Sequence, residues 1–367
     1  MEFIKIKDWG FDFDAKHQLL IAGPCSAETE DQVEASFSGA HHAGAQIFRA
    51  GIWKPRTRPN SFEGVGEIGL PWVVKHAKIY NRPVAIEVAK PSHVKAALRA
   101  GVELLWIGAR TSVNPFAVQD IVDALDGRDI PIFIKNPINP DLELWIGAIE
   151  RFYKNGHRKI AGIHRGFSVS NAAPYRNAPM WGIPIELKRR FPSLDIIVDP
   201  SHIAGKRKWL SGLSQKAIDL EFSGWMIETH FDPDNAWSDA AQQLKGNDLK
   251  KMLDNLIYRD SSSNNPEFLA NLEALRYDID QLDAEIIQLL GKRMEVAQEI
   301  GKYKDQSGIT ILQMDRWKTI FDQRVAATKA EKLSDEFSIE FIRSLHDESI
   351  RQQASVMNAI KNKKPVE

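Results

Sequence analysis

Short apolar segments recur through the first two thirds of the chain and alternate with segments long enough to form helices. Their starts lie 21 to 37 residues apart, a spacing that accommodates a strand, a helix and two loops. Most of them are too continuously apolar to leave one face in water, as is typical of buried parallel strands. The pattern predicts strands at Leu19–Ala22, Gln46–Arg49, Pro83–Val88, Leu104–Gly108, Pro131–Lys135, Lys159–His164, Asp195–Asp199 and Trp225–Thr229.

Eight repeats of strand and helix within about 250 residues indicate an α/β fold, a (β/α)8 TIM barrel. An open, doubly wound sheet is the alternative. The glycine-rich fingerprint of dinucleotide-binding sheets does not follow the first predicted strand, so the barrel is favoured.

The last hundred or so residues have a helical pattern instead. Asn265, Pro266 and Glu267 form a helix start, because Asn caps helices, Pro suits the first position and an acid suits the first turn. The apolar stripe that follows predicts a helix of about 35 residues, or about 50 Å. The stripe comprises Leu272, Leu275, Ile279, Leu282, Ile286 and Leu289, and it continues through Ala297 and Ile300.

Two more helices are predicted after an interruption at Gly308. One runs from about Gln313 to Ala330, and Ser334 caps the other. A helix of about 50 Å cannot bury its apolar stripe within a hundred-residue monomer. We therefore expect a homodimer through the helical domain.

The two patterns are separated by a stretch of small polar residues, which indicates a linker. The predicted boundaries are 1–258 for the barrel, 259–266 for the linker, 267–358 for the helical domain and 359–367 for a tail.

Charge and composition exclude several classes of protein. Lys plus Arg number 48 and Asp plus Glu number 49, so bulk electrostatics give no reason to bind nucleic acid or an anionic membrane. No apolar run reaches the roughly 18 residues of a membrane helix. The single cysteine, Cys25, rules out an intrachain disulfide, and the N-terminus lacks the apolar stretch of a signal peptide. We expect a cytoplasmic protein.

In a barrel, active-site residues lie where the strands end. Ionisable groups stand at all eight predicted ends: Cys25, Arg49, Glu87, Arg110, Lys135, Arg165, Asp199 and Glu228.

These groups and their neighbours fall into two sets. Convergent cations indicate a polyanionic substrate, most simply one or two phosphorylated compounds; they are Arg49, Lys54, Arg56, Arg110, Lys135 and Arg165. A thiolate, an imidazole and two carboxylates suit a divalent transition metal such as Mn, Fe, Co or Zn; they are Cys25, His202, Glu228 and Asp239. A Schiff-base aldolase that uses Lys135 stays open on these residues alone.

Seven motifs in order carry a resemblance to a known family. They are Gly23-Pro24-Cys25-Ser26, Arg49 with Lys54-Pro55-Arg56-Thr57, Gly108-Ala109-Arg110-Thr111, Lys135-Asn136, His164-Arg165-Gly166, Asp199-Pro200-Ser201-His202 and Ile227-Glu228-Thr229-His230. The segment 1–258 resembles the 3-deoxy-D-arabino-heptulosonate 7-phosphate (DAHP) synthases of type I, β subgroup. The resemblance implies condensation of phosphoenolpyruvate with erythrose 4-phosphate and water, the first step of the shikimate pathway. It also implies a required divalent metal on Cys25, His202, Glu228 and Asp239, with Mn2+ expected first and Fe2+, Co2+ or Zn2+ as alternatives.

The same resemblance implies roles for the other motif residues. Arg110, Lys135 and Arg165 would hold phosphoenolpyruvate, with Arg49 and Lys54 nearby. Lys54 is also a candidate general acid or base. Arg56 and Thr57 would meet erythrose 4-phosphate. Two further candidates come from the strand pattern: Asp199 stands at a strand end, and His230, two residues after Glu228, would point the same way along a strand and support the metal ligands.

One residue departs from the family's pattern, and a related family uses a different sugar. Arg58 stands where many relatives carry a small residue, and an extra cation there could strengthen phosphate binding or merely face solvent. The related octulosonate 8-phosphate synthases use arabinose 5-phosphate. The segment from Lys54 to Thr57 argues against that alternative.

Polar residues also recur on the predicted helices. Arg293 and Lys304 are eleven residues apart and share one helix face, whereas Arg276 lies about 100° off that face and would more easily serve a partner helix. Ser349 and Gln353 share a face at a spacing of four residues.

These residues, with Arg316, make 267–358 resemble the AroQ-type chorismate mutases. The resemblance implies an intertwined helical dimer that rearranges chorismate to prephenate. It implies that one arginine of each site, Arg276, comes from the partner subunit. The carboxylates and ether oxygen of chorismate would meet Arg293, Lys304 and Arg316. Ser349 and Gln353 would complete the site. The sequence departs from the family's pattern at Gln313, where an acid often lies, and at Trp317, where Glu often follows the arginine.

A different class of function is open for the helical domain. It could be mainly a non-catalytic dimerisation module that senses prephenate and regulates the synthase. The two interpretations are compatible, because a catalytic site can also confer feedback inhibition by prephenate.

Overall fold

The computed structural model describes residues 1–11, 13, 18–54, 62–170, 172–259 and 262–361. The chain divides into two compact units, Met1–Ser261 and Ser262–Glu367, which are taken one at a time.

The first unit is a closed barrel of eight parallel strands in sequence order, so the prediction of a (β/α)8 fold is confirmed and the open sheet is wrong. In the register, Ile21 of the first strand lies opposite Ile47 of the second and Met226 of the eighth. Each strand lies within one or two residues of its predicted bounds. The strands are β1 Leu19–Gly23, β2 Ile47–Ala50, β3 Val84–Val88, β4 Leu104–Ile107, β5 Ile132–Lys135, β6 Ile160–His164, β7 Asp195–Val198 and β8 Gly224–Glu228.

Helices surround the strands. They are α1 Glu30–His42, α2 Leu70–Ile79, α3 Pro91–Ala100, α4 Pro115–Ala124, α5 Leu142–Lys154, α6 Gly182–Arg190, α7 Pro200–Ala204, α8 Leu210–Asp219 and α9 Gly246–Asp254. Side chains along each strand alternate between the barrel interior and the helices, which is why both faces are apolar. Ile21 belongs to the inner cluster, whereas its neighbours Leu20 and Ala22 pack against the helices.

The N-terminal segment fills one end of the barrel. Ile6 and Trp9 belong to the inner cluster together with Leu19 and Leu104, which begin β1 and β4. The Trp9 ring lies 5.1 Å from that of Phe133. The end at which the strands start is therefore apolar and closed, and the functional groups collect at the other end.

The described part of the second unit, 262–361, contains three helices, as predicted: α10 Pro266–Gln306, α11 Met314–Ala330 and α12 Asp335–Lys361. Asn265 Oδ1 accepts hydrogen bonds from the backbone of Glu267 and Phe268, and Ser334 Oγ accepts one from Phe337, so both predicted caps are present. A Cβ on Gly301 would lie 3.0 Å from Gln353 Cα. Glycine thus lets α10 and α12 approach closely at the point where a cavity forms.

Much of the apolar stripe of α10 is exposed within this unit. Leu275, Ile279, Leu282, Ile286 and Leu289 are 50–64% accessible. A contiguous apolar face of this kind is typical of a surface that another protein covers. Each helix in the described parts of the chain is too short or too polar to span a membrane.

Candidate active sites

The carboxyl ends of the barrel strands bring four potential metal ligands together. One ligand atom each from Cys25, Glu228 and Asp239 lies within 4.8 Å of the others. Cys25 Sγ is 3.4 Å from Asp239 Oδ2, and His202 Nε2 is 3.7 Å from Glu228 Oε1. Cys25, Glu228 and Asp239 thus form one cluster, and His202 adjoins it at Glu228, although the four residues come from the β1, β7 and β8 ends and the loop after β8.

Asp199 determines how His202 is presented. It caps the short helix α7, because its Oδ1 accepts from the backbone of His202 at 3.0 Å. Its Oδ2 lies 2.8 Å from His202 Nδ1 and 2.7 Å from Lys135 Nζ. Burial opposes the charge on Asp199, but His202 and Lys135 hold its pKa well below the usual range. Nε2 is therefore the ring nitrogen directed toward the cluster, as in many metal-binding histidines.

The chemistry of this donor set fits a divalent transition metal. Glu228 Oε1 is fully buried and makes no hydrogen bond, although the Arg49 guanidinium lies 3.3 Å away, so this oxygen keeps a lone pair for a further cation. Burial, with the nearby charge of Glu228, raises the pKa of the Cys25 thiol to about 12. A bound metal ion removes such a proton, since a coordinating thiol is deprotonated outright.

Cations surround this cluster. Lys54 Nζ lies 2.7 Å from Cys25 Sγ. Arg49 is 1% exposed and places Nη2 3.3 Å from Glu228 Oε1, with its guanidinium over the Trp106 ring. The adjoining cavity is lined by Lys54, Arg110, Lys135, Arg165 and Arg176, together with Glu87, His202 and Asp239.

Arg165 is positioned by the β6–α6 loop. Its Nη1 donates to Asn177 Oδ1 at 3.0 Å and to the Gly166 carbonyl at 3.2 Å. Burial lowers the pKa of Arg165 to about 10, so the guanidinium is still charged at neutral pH. A partly desolvated cation of this kind binds an anion more strongly than a solvated one does.

Of the substrate residues predicted for the barrel, Arg49, Asp199 and His230 are described but do not line the cavity. Arg49 and Asp199 are buried and pair with Glu228 and His202. Arg56 and Thr57 lie outside the described residues, as does Arg58. His230 is 2% exposed, and both of its ring nitrogens have partners: Nε2 contacts Glu28 at 3.3 Å and Nδ1 accepts from the backbone of Asp232.

Arg176 lines the cavity, but sequence reasoning missed it. Its Nη1 donates to Asp239 Oδ1 at 3.0 Å. In the sequence, Arg176 is only a basic residue between the motifs that follow β6 and β7. The strand pattern does not predict the path of that loop, so it could not place Arg176 at the cavity.

A second cavity, of about 310 Å³, lies in the helical unit. Arg293 Nη1 donates to Ser349 Oγ at 2.6 Å, and Lys304 Nζ donates to the Ile311 carbonyl. The predicted residues that line it are Arg293, Lys304, Arg316, Ser349 and Gln353. Arg276 is exposed and does not line the cavity of its own chain.

The same cavity contains two polar residues that sequence reasoning missed, Arg324 and His346. His346 stacks on Trp317, with ring centroids 3.6 Å apart. Burial lowers the pKa of Arg293, and the charge of Arg324 lowers it further. Arg316, Ile320 and Arg324 line the cavity at successive spacings of four residues along α11, so helical periodicity could have found Arg324. Among the described residues, no Asp or Glu lines this cavity.

Comparison with known proteins finds a matching family for each of the two parts of the chain. Residues 13–262 match the family model of the DAHP synthetase I family, and residues 275–354 match that of chorismate mutase type II. Over 225 residues the chain is 29% identical to the phospho-2-dehydro-3-deoxyheptonate aldolase of Thermotoga maritima, covering 61% of this chain and 64% of that protein. The chain thus spans slightly less than two thirds of that relative.

Two further comparisons are weaker or structural. The 2-dehydro-3-deoxyphosphooctonate aldolase of Rhizobium meliloti is 23% identical over 268 residues, covering 68% of this chain and 92% of that protein. The crystal structure of the Thermotoga maritima DAHP synthase superimposes with a TM-score of 0.61 at 27% identity, covering 69% of this chain and 72% of that one. Because the first family model matches more than half of its residues, the chain belongs to the DAHP synthetase I family and carries a chorismate mutase type II domain after its barrel.

Proposed function

We propose that the chain is a bifunctional enzyme of aromatic amino acid biosynthesis. The barrel condenses phosphoenolpyruvate with erythrose 4-phosphate and water to give DAHP and phosphate, and the helical domain rearranges chorismate to prephenate. The observation that carries the first assignment is the ring of lysines and arginines around a thiol, an imidazole and two carboxylates at the barrel mouth.

The cations of the barrel bind and orient both phosphorylated substrates. Arg110, Lys135 and Arg165 hold the phosphate and carboxylate of phosphoenolpyruvate, with Arg49 and Lys54 nearby. Arg56 and Thr57 meet erythrose 4-phosphate. Neutralising the charge on both substrates lets the two reacting carbons approach within bonding distance.

Cys25, His202, Glu228 and Asp239 hold a divalent ion, with Mn2+ proposed first. When bound, such an ion polarises the aldehyde oxygen as a Lewis acid. Lys54 donates a proton to that oxygen as C3 of phosphoenolpyruvate attacks the aldehyde carbon. Water then adds at C2 and returns a proton to Lys54. The C2–O bond to phosphate breaks, and Arg165 and Lys135 hold the departing phosphate.

In the helical domain, catalysis is a matter of conformation and charge. Arg293, Lys304 and Arg316 bind the carboxylates and ether oxygen of chorismate, Ser349 and Gln353 complete the site, and Arg276 comes from the partner. Holding the diaxial conformer and stabilising negative charge on the ether oxygen require no covalent step.

Substitution of Arg324 with glutamine is expected to raise KM for chorismate by about tenfold or more, with a smaller effect on kcat. A charge-assisted hydrogen bond contributes about 1.5–3 kcal/mol, and about 1.4 kcal/mol is tenfold. Arg324 is half-buried beside Arg293 and faces a cavity without carboxylates. Steady-state kinetics of chorismate loss measure the effect. Arg351→Gln, an exposed arginine that does not line the cavity, is the matched control, and equal kinetics in the two variants would exclude Arg324 from substrate binding.

Four further features belong to the same proposal. The domains span 1–258 and 267–358, the chain works as a homodimer through the helical domain, it is cytoplasmic, and prephenate inhibits the synthase. The exposed apolar stripe of α10 and the position of Arg276 support the dimer.

The test follows phosphoenolpyruvate loss with erythrose 4-phosphate and Mn2+, and chorismate loss in a second assay. Turnover in both supports the proposal. Turnover with arabinose 5-phosphate in place of erythrose 4-phosphate would overturn the sugar assignment. If prephenate inhibits the phosphoenolpyruvate turnover of the folded protein, but the protein does not consume chorismate, the helical domain is a sensor and not a mutase.

A further inference from the structure

Two consecutive glutamines fasten the loop after β8, which carries Asp239, to the rest of the barrel mouth. Gln242 and Gln243 are 1% and 0% exposed. Gln243 Oε1 accepts from the backbone of Cys25 at 2.9 Å, and its Nε2 donates to the Ser238 carbonyl at 2.8 Å. The loop is therefore tied to the segment that presents the thiol.

Gln242 makes the more informative contacts. Its Nε2 donates to Glu228 Oε2 at 2.7 Å, and its Oε1 accepts from Arg176 Nη1 at 3.0 Å. The same Arg176 nitrogen donates to Asp239 Oδ1 at 3.0 Å. The amide of Gln242 thus connects the two carboxylates of the donor cluster, directly on one side and through Arg176 on the other.

The polarity of this bridge requires an amide. Its NH2 group faces a carboxylate and its oxygen faces a guanidinium. The reversed amide would place its oxygen against the carboxylate and its NH2 group against the guanidinium. A glutamate would oppose Glu228, and an apolar side chain would leave both neighbours without their partner. The bridge is also buried, where unsatisfied polar groups are most costly.

Asp239 is a residue that needs such support. Its backbone is left-handed, with φ of 47°, a conformation that is uncommon for residues other than glycine, although Asp adopts it more often than most. Strained residues of this kind persist only where the surroundings determine them. Glu228 and Asp239 also carry like charges within a few ångströms of each other, so they separate unless the neighbouring groups hold them.

We propose that Gln242 is a positioning residue for the divalent metal site: it holds Glu228 and, through Arg176, Asp239 at ligand separation before the ion binds. The inference rests on the proposed metal site of the barrel. Fixing the ligands in advance removes part of the ordering cost that binding would otherwise include. Partners that orient ligands in this way are worth about 10- to 100-fold in metal affinity.

The test is the affinity of Gln242→Met for Co2+ and Mn2+, measured by competition with a chelator. Methionine has a similar volume but cannot bridge the two groups. We expect affinity about 10- to 100-fold below that of the unsubstituted protein. The visible spectrum of the Co2+ form should change as well, because the carboxylate ligands are no longer fixed. Phosphoenolpyruvate turnover should recover when Mn2+ is raised in proportion, which a purely structural defect would not allow.

Gln46→Met is the matched control. Gln46 is a buried glutamine just before β2, at the opposite end of the barrel, and its Nε2 donates to the Gln18 carbonyl. Its loss should lower thermal stability without changing Co2+ affinity.

The outcomes are distinct. Unchanged Co2+ affinity in folded Gln242→Met overturns the inference. If that variant does not fold, Gln242→Asn decides, because the shorter amide cannot reach both partners and should also weaken binding. If the unsubstituted protein binds neither ion, the proposed metal site itself is wrong, and the role of Gln242 falls with it.

Discussion

Replacing Cys25 with alanine is expected to lower phosphoenolpyruvate turnover by about 10³-fold, equal to about 4 kcal/mol of transition-state stabilisation. The thiol is fully buried between Lys54 and Asp239, so its loss leaves three donors and an unfilled volume in the cluster. Metal content and turnover, measured on the same preparation, should fall together. Removing metal from the unsubstituted protein with a chelator should have the same effect.

The second activity supplies the control. Chorismate turnover by the Cys25→Ala variant and by chelator-treated protein should be unchanged, because the proposed rearrangement uses only side chains of the helical domain. Full synthase turnover in either preparation contradicts the metal assignment. Trapping of a substrate adduct on Lys135 by borohydride would then favour the Schiff-base aldolase, for which Lys135 must leave its ion pair with Asp199.

The fold could be predicted from the sequence because its signal is local and repeated. Strands buried on both faces are continuously apolar, and the spacing of such segments along this chain reflects one strand and one helix per repeat. The helix start at Asn265 was equally local, since the cap, the proline and the acid are consecutive. Residues at strand ends, such as Lys135 and Glu228, follow directly from the topology.

The parts of the sites that the sequence did not predict depend on loops and on contacts between elements. Arg176 and Gln242 lie in loops whose course no period describes, and their role is visible only as distances to Asp239 and Glu228. Strand alternation predicted that His230 points the same way as Glu228, but β8 ends at Glu228. Beyond that end, the ring is free to turn toward Glu28 instead.

Substitution of Arg293 with alanine is expected to lower kcat/KM for chorismate by about 10³-fold. Two charge-assisted hydrogen bonds to a carboxylate are lost, at about 1.5–3 kcal/mol each. Ser349, whose hydroxyl accepts from Arg293 at 2.6 Å, also loses its orientation. Synthase turnover of the variant should match that of the unsubstituted protein, and its helical content by circular dichroism should be unchanged. A mutase rate within tenfold of the unsubstituted protein would remove Arg293 from the site.

The same variant tests whether the site is shared between subunits. If Arg276 serves the partner's cavity, a dimer of two Arg276→Ala subunits is inactive. A mixed dimer of one Arg276→Ala subunit and one Arg293→Ala subunit has one site in which both arginines are intact. Random reassociation makes half of the dimers mixed, each with one such site, so the mixture should regain about a quarter of the original chorismate turnover. Two arginines that act within one subunit give no recovery at any ratio. Because Arg276 is exposed and lies away from the cavity of its own chain, we expect chorismate turnover to recover. Recovery would also support a dimer in which the exposed apolar stripe of α10 is buried.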